Sequence, residues 1–390
     1  MMDGLSLLRS LAPAPPAWSV DWAAIGRSEP GTYAAAMADT PQDPLYHGEG
    51  DVWTHTRMAC EALAGMEDFR ALPEDRRQAL FLAMLLHDIG KIRCTKMEDG
   101  RWISPNHSSA GAGMARQILW LDYGLCGTPE AQAFRETVCT LIRYHSVPVH
   151  AIDAPDGVRR LRTIAAAGEL LPGFSLRLLC LLAEADALGR RCADRQDLIE
   201  KVQLCGELAR EAGCRDGPYP FPSAHVRFAY LSGRNVLPDQ PLYDGAWGPV
   251  TLLSGLPGTG KDAWIGRHCP DLPQVSLDRI REELGVSPED GQAPVARLAH
   301  ERARELLRRK QPFVWNATDV SPMIRQKQLA LFHSYGAAVR AVYLETSWEE
   351  QLRRNRSRAD IVPEAAIGRM LEHLVPPVPV EAREIIWRCV

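Results

Sequence analysis

No apolar run in this chain exceeds eight residues, Ala79 to Leu86 being the longest, so nothing approaches the ~20 residues a membrane helix needs. The first segment lacks a basic cluster, carries Asp3, and has Arg9 and three prolines where the apolar stretch of a secretion signal would lie. A non-secreted, cytoplasmic protein is expected. Ten cysteines occur, yet no pair is spaced C-x-x-C, which argues against zinc fingers, thioredoxin-type redox sites and a disulfide framework. Lysine is scarce, six beside 39 arginines. Arginine abundance therefore reads as a coding bias rather than as a nucleic-acid surface, and each remaining lysine gains weight.

What is present suffices for real cores: 46% of the 390 residues are hydrophobic and 24% charged, in a length that accommodates two or three domains. The net charge of −4 predicts no strong field for polyanions. It is unevenly spread, with 20 Lys+Arg against 18 Asp+Glu in residues 250–390 and 25 against 31 before them. A weakly basic C-terminal part and an acidic N-terminal part point to different chemistry in each.

From Asp51 to about Leu208 apolar residues recur at helical spacing, with helices expected at Val52–Met66, Arg77–Leu86, Ala112–Trp120, Ala131–Arg143, Arg159–Leu170 and Leu176–Leu188 and no strand among them. Residues 217–249 hold six prolines and four glycines and read as a linker. After Pro249 short apolar runs (Val250–Ser254, Phe313–Trp315, Val339–Leu344) alternate with helical patterns, which predicts an α/β domain with a parallel sheet. The expected division is an all-α domain over 1–216, a linker over 217–249 and an α/β domain over 250–390.

Gly255-Leu-Pro-Gly258-Thr259-Gly260-Lys261-Asp262 follows an apolar strand and opens a helix, the context a phosphate-binding loop requires. The glycines let backbone N–H groups curl around phosphates, Lys261 reaches the β/γ oxygens, and the helix start adds positive potential. An NTP with Mg²⁺ is the implied ligand. Asp262 departs from the pattern, since Ser or Thr supplies a hydroxyl for Mg²⁺ at that place; a carboxylate can serve the same hard ion. Three further segments accompany the loop: Ser276-Leu-Asp278-Arg279-Ile-Arg281, Val314-Trp-Asn316-Ala-Thr-Asp319, and Leu352-Arg353-Arg354-Asn355-Arg356-Ser357-Arg358. Together with the loop they resemble the kinase domain of polynucleotide 5′-kinases over roughly 140 residues. The resemblance implies that Asp278 accepts the proton of an attacking 5′-hydroxyl, that Arg281 holds the adjacent substrate phosphate, and that Arg354 and Arg358 are lid arginines on the donor phosphates.

In the N-terminal part, Leu85-Leu86-His87-Asp88-Ile89-Gly90-Lys91 ends the longest apolar run. Histidine and aspartate side by side after a buried helix are costly to desolvate unless something pairs with them, and a divalent transition metal suits both donors. The segment matches the signature of the HD phosphohydrolase superfamily. His55, His107, His145 and Asp186 stand at positions that match its extended form. The resemblance implies that His55, His87, Asp88 and Asp186 hold one ion, that Asp88 bridges to a second held by His107 and His145, and that Lys91 meets a phosphate oxygen. Mn, Fe, Co or Ni is the expected metal, as one or two ions that activate water. The spacing also resembles the HD domain of bacterial tRNA nucleotidyltransferases.

The pairing of the two parts resembles bacterial HD-Pnk across nearly the whole chain and implies RNA end healing: NTP-dependent phosphorylation of a 5′-OH end and removal of a 2′-, 3′- or 2′,3′-cyclic phosphate. RNA ends, with DNA left open, and an NTP donor are the implied partners. The chain has no D-x-D-x-T phosphatase nucleophile motif and no K-x-D-G ligase motif, so sealing is expected to need a separate ligase. A small-molecule kinase fused to a nucleotide phosphohydrolase is the alternative.

Overall fold

The computed structural model describes residues 4–287, 290–358 and 360–390; Asp3 lies outside them. The chain divides after Pro220 into two compact units. No helix among the described residues is long and apolar enough to cross a membrane.

The first unit is helical. Its site is built on α1 (Val52–Gly65), α2 (Glu74–Leu86), α3 (His107–Gln117), α4 (Pro129–Tyr144) and α5 (Leu176–Leu188), with α6 (Arg195–Glu211) packed on α5. Side-chain caps set several starts: Asp51 accepts the Thr54 N–H, Thr128 that of Ala131 and Ser175 that of Leu178. Every residue from Ala79 to Leu86 is buried, as an all-apolar helix requires. The sequence predicts no strand here, yet a hairpin joins β1 (Lys96–Glu98) to β2 (Arg101–Ile103). Its turn is Asp99-Gly100, both at positive φ (49° and 76°), the geometry that favours Asp-Gly in two-residue hairpins. The strands escape periodicity because they are three residues long and half exposed.

Between α3 and α4 lies a buried ion cluster. Arg116 donates from Nε and Nη2 to the two Glu136 oxygens (2.8 and 2.7 Å), and Arg135 donates from Nε to Glu136 Oε1 (2.9 Å). Burial would raise the Glu136 pKa, but Arg116 and Arg135 override it and hold the carboxyl down at about 2. Glu136→Ala deprives two buried guanidiniums of their counter-charge and is expected to cost about 3–5 kcal/mol, read as a lowered urea midpoint. A carboxyl depressed on folding stabilises above its unfolded pKa, and that contribution fades as pH falls toward about 2. The gap between wild type and variant should therefore narrow in acid.

The second unit is a parallel five-stranded sheet in the order β4-β5-β3-β6-β7. The strands are β3 (Trp247–Ser254), β4 (Gln274–Ser276), β5 (Val314–Asn316), β6 (Ala337–Glu345) and β7 (Glu384–Cys389). Between Pro220 and β3 stands α7 (Ala224–Leu231), so most of the expected linker over 217–249 is folded into this unit. Helices α8 (Lys261–His268), α9 (Leu277–Leu284), α10 (Ala293–Arg308), α11 (Pro322–Ser334), α12 (Trp348–Arg356) and α13 (Glu364–Glu372) complete it. The chain leaves β3 toward β4 on one side and leaves β5 toward β6 on the other. The carboxyl ends of adjacent β3 and β5 therefore open a crevice where ligands of such sheets bind. Val250, Leu252, Trp315, Phe313, Phe332 and Val339 fill the core on one sheet face.

Candidate active sites

The six candidate metal ligands come from five helices or their ends: His55 from α1, His87 and Asp88 from the turn after α2, His107 from the start of α3, His145 from just past α4, and Asp186 from α5. The structure brings all six together. Asp186 Oδ1 lies 2.9 Å from His55 Nε2 and 3.9 Å from His87 Nε2, and Asp88 Oδ2 lies 3.8 and 3.3 Å from the same two nitrogens. The other Asp88 oxygen, Oδ1, lies 3.5 Å from His107 Nε2 and 3.9 Å from His145 Nε2. Asp88 thus divides its two oxygens between two groups of ligands, each of which could hold an ion.

The donor set fits a metal on three observations. His87, His107 and His145 each place Nδ1 2.8 Å from a backbone carbonyl, so Nδ1 donates and Nε2 keeps its lone pair. Burial keeps His107 and His145 neutral, with the His145 pKa drawn down to about 3. His107 Nε2 and His145 Nε2 nevertheless face each other at 3.3 Å, two lone pairs that a cation would reconcile. Third, His55 Nε2, His87 Nε2 and Asp88 Oδ1 are buried without a hydrogen-bond partner. Ligand atoms ~2.1 Å from an ion lie about 3.0–3.4 Å apart at tetrahedral or octahedral angles, close to the shorter separations here.

Burial would raise the Asp88 pKa, but Lys91, His87 and His107 hold it well below the usual range. Lys91 Nζ lies 2.7 Å from Asp88 Oδ2 and donates to Gln42 Oε1 at 2.6 Å. Burial works likewise against ionised Asp186, and Arg190 offsets it, donating to both carboxylate oxygens at 3.2 and 2.9 Å. Gln42, and Glu49 at 2.9 Å from His55 Nδ1, stand on an irregular loop that no periodicity marks. His47 packs on the same Glu49 at 2.8 Å.

In the second unit Gly255, Gly258 and Gly260 have φ of 154°, 84° and 82°. A Cβ at Gly255 would sit 2.6 Å from Leu344 O, and one at Gly258 2.7 Å from Gln351 O, so both positions need glycine twice over. Thr259 Oγ1 donates to Leu256 O at 2.8 Å and braces the turn. Lys261 Nζ donates to Gly255 O and Leu256 O (2.9 and 3.0 Å), and burial lowers its pKa to about 8. Asp278, in the first turn of α9, is gripped by Arg281 and lies 3.1 Å from Arg358 Nη2. Burial raises its pKa, but the two arginines outweigh this and lower it. Arg354 Nη1 lies beside Gly260, 3.1 Å from where a Cβ would stand. The structure thus sets Arg354 at the loop and Arg358 at Asp278.

Residues 51–190 match the HD domain family, and residues 250–377 match an AAA domain family. The chain joins an HD domain to a P-loop AAA domain. Over 83 residues it is 39% identical to the multifunctional CCA protein of Halorhodospira halophila (strain DSM 244 / SL1), a stretch covering 21% of this chain and 18% of that relative. The chain therefore spans less than a fifth of that relative's length. All six candidate ligands fall within the HD match, and the loop, Asp278, Arg281, Arg354 and Arg358 fall within the AAA match.

Two residues of the AAA domain add to what the loop motif shows. Asn316, at the carboxyl end of β5, donates from Nδ2 to Asp262 Oδ1 at 2.8 Å across the crevice. Asp319, three residues on, is buried at φ 38°, accepts the Trp315 indole N–H at 2.9 Å, and has its pKa raised by burial to about 6. The Asn316 bond engages one Asp262 oxygen; a carboxylate at this place could offer its other oxygen to a hard ion. Asp262→Ala is expected to raise the Mg²⁺ needed for half-maximal kinase rate about tenfold, equivalent to ~1.4 kcal/mol, while Asp262→Ser stays near wild type. Equal Mg²⁺ titrations for wild type and Asp262→Ala would show Asp262 to be only an acid at a helix start.

Proposed function

We propose that this chain heals broken RNA ends. Its AAA domain would transfer the terminal phosphoryl of an NTP to a 5′-hydroxyl, and its HD domain would remove a 2′-, 3′- or 2′,3′-cyclic phosphate. The observation that carries this reading is the pairing, in one chain, of an HD domain with a P-loop AAA domain. A break with a 5′-OH and a 2′,3′-cyclic phosphate needs both reactions, one on each side.

In the kinase site, Lys261 and the loop N–H groups would hold the donor phosphates with Mg²⁺. Asp278 would take the hydroxyl proton, and Arg281 would bind the first phosphate of the strand. Phosphoryl transfer of this kind depends mainly on positioning and electrostatics. In the HD site the two ligand groups around Asp88 would hold the ions, and those ions supply an activated water and neutralise the phosphate. Lys91 and Arg190 keep Asp88 and Asp186 ionised for that task. A separate ligase would seal the product.

The test is an RNA carrying a 5′-OH and a 2′,3′-cyclic phosphate, incubated with Mn²⁺, Mg²⁺ and NTP, with both ends analysed. Conversion of both ends supports the proposal. Turnover of free nucleosides and nucleotides alone would favour a small-molecule kinase joined to a nucleotide phosphohydrolase.

A further inference from the structure

Three of the four clustered imidazoles dispose of their Nδ1–H in one way. His87 donates to Met84 O, His107 to Ser104 O and His145 to Ile142 O, each at 2.8 Å and each three residues back. All three stand at helix ends, where the Met84 and Ile142 carbonyls take the ring N–H beside the long 3.5 Å backbone N–H contacts of His87 and His145. His55 has no such outlet. It sits in the body of α1, and its Nδ1 makes no hydrogen bond to a backbone carbonyl.

Glu49 fills that gap. Its Oε1 lies 2.9 Å from His55 Nδ1, and its side chain is 0% exposed. The carboxylate is itself held. His47 Nδ1 contacts Oε1 at 2.8 Å, and the Arg191 N–H donates to Oε2 at 2.8 Å. The neighbouring Gly48 N–H donates to Arg191 O at 2.9 Å, an approach so close that a Cβ on Gly48 would sit 2.6 Å from that oxygen. Glu49 is thus fastened to the chain just beyond α5, one residue past the Arg190 that grips Asp186.

We propose that Glu49 is a positioning residue of the HD metal centre, a proposal that rests on the metal reading of the cluster. Its carboxylate, 2.9 Å from His55 Nδ1, favours a proton on that nitrogen and so leaves Nε2, which faces Asp88 and Asp186, to a cation, and its charge makes Nε2 a stronger donor to that cation. It also offsets the positive charge that Lys91, Arg190 and a bound ion bring together. Glu49 lies just outside the segment matched to the HD family, so no HD motif points to it.

The experiment measures Co²⁺ binding to the full-length chain, wild type and variants, by chelator competition and by the visible spectrum of the bound ion, with metal-free melting recorded in parallel. Glu49→Ala is expected to weaken the tighter Co²⁺ by about 10–100-fold. Glu49→Gln keeps an oxygen that can accept from Nδ1 but lacks the charge, and should recover part of that loss. Should the alanine variant fail to fold, the near-isosteric glutamine variant decides, with several-fold weaker binding expected. Wild-type affinity in both variants would overturn the proposal, as would a glutamine variant no better than a folded alanine variant. A wild-type chain that binds no Co²⁺ would instead remove the metal reading itself, and this proposal with it.

Discussion

Asp88→Asn is expected to abolish phosphate release from RNA ends, a loss of at least ~10²-fold on the scale of a single catalytic group, while 5′-kinase activity continues. Asp88 is the residue whose two oxygens face different ligand groups, Oδ2 toward His55 and His87 and Oδ1 toward His107 and His145. An asparagine offers one neutral oxygen in place of two oxygens that share a negative charge, and its amide N–H₂ points a positive edge at one group. Bound metal should fall in parallel, measurable by elemental analysis of the purified chain. Lys261→Ala is the converse: it removes the cation at the phosphate loop and should stop the kinase while phosphate release persists. If either substitution silenced both reactions in folded protein, the chain could not hold two independent sites.

The second large effect is on Asp278→Asn, which should slow phosphoryl transfer by ~10²-fold or more with little change in NTP affinity. Asp278 is held ionised by Arg281 and Arg358, the state a proton acceptor must have. Removing its charge should also loosen Arg358, whose Nη2 lies 3.1 Å from the Asp278 carboxylate. Single-turnover transfer to a 5′-OH oligonucleotide separates the chemical step from binding. Near-normal turnover would take the role of general base away from Asp278.

Much of this was legible in the order of residues. His87-Asp88 at the end of an eight-residue apolar helix announces a buried polar pair in need of a partner, and the glycines around Lys261 announce a loop. Strand and helix placement in the AAA domain followed from short apolar runs, because parallel strands buried on both faces read as such. What stayed hidden has a common physical cause. Gln42 meets Lys91 across 49 residues, Glu49 reaches His55 from an irregular loop, and the Asn316–Asp262 bond joins segments 54 residues apart; no period encodes those contacts. Strand β7 was missed because Glu384 and Arg388 flank only three apolar residues at an exposed sheet edge. The Asp99-Gly100 turn carried a hairpin signal that the surrounding helical pattern masked. Helix α7 was hidden by the prolines on either side of it, although Ser223 caps it in the usual way.

The carbonyl bonds of His87 and His145 make the ends of α2 and α4 part of the site's ruler. Each residue of an α-helix turns the chain by about 100° and advances it 1.5 Å. A single residue inserted anywhere in α2 would swing His87 and Asp88 together off the cluster, even if every side chain in the core were kept. Deletions in α4 would do the same to His145. The HD domain should therefore accept many substitutions along these helices but almost no change in their length, while the half-exposed turn over 152–156, which carries no ligand, should tolerate changes of length better. Gaps among related chains should be found at that turn and be missing from α2 and α4.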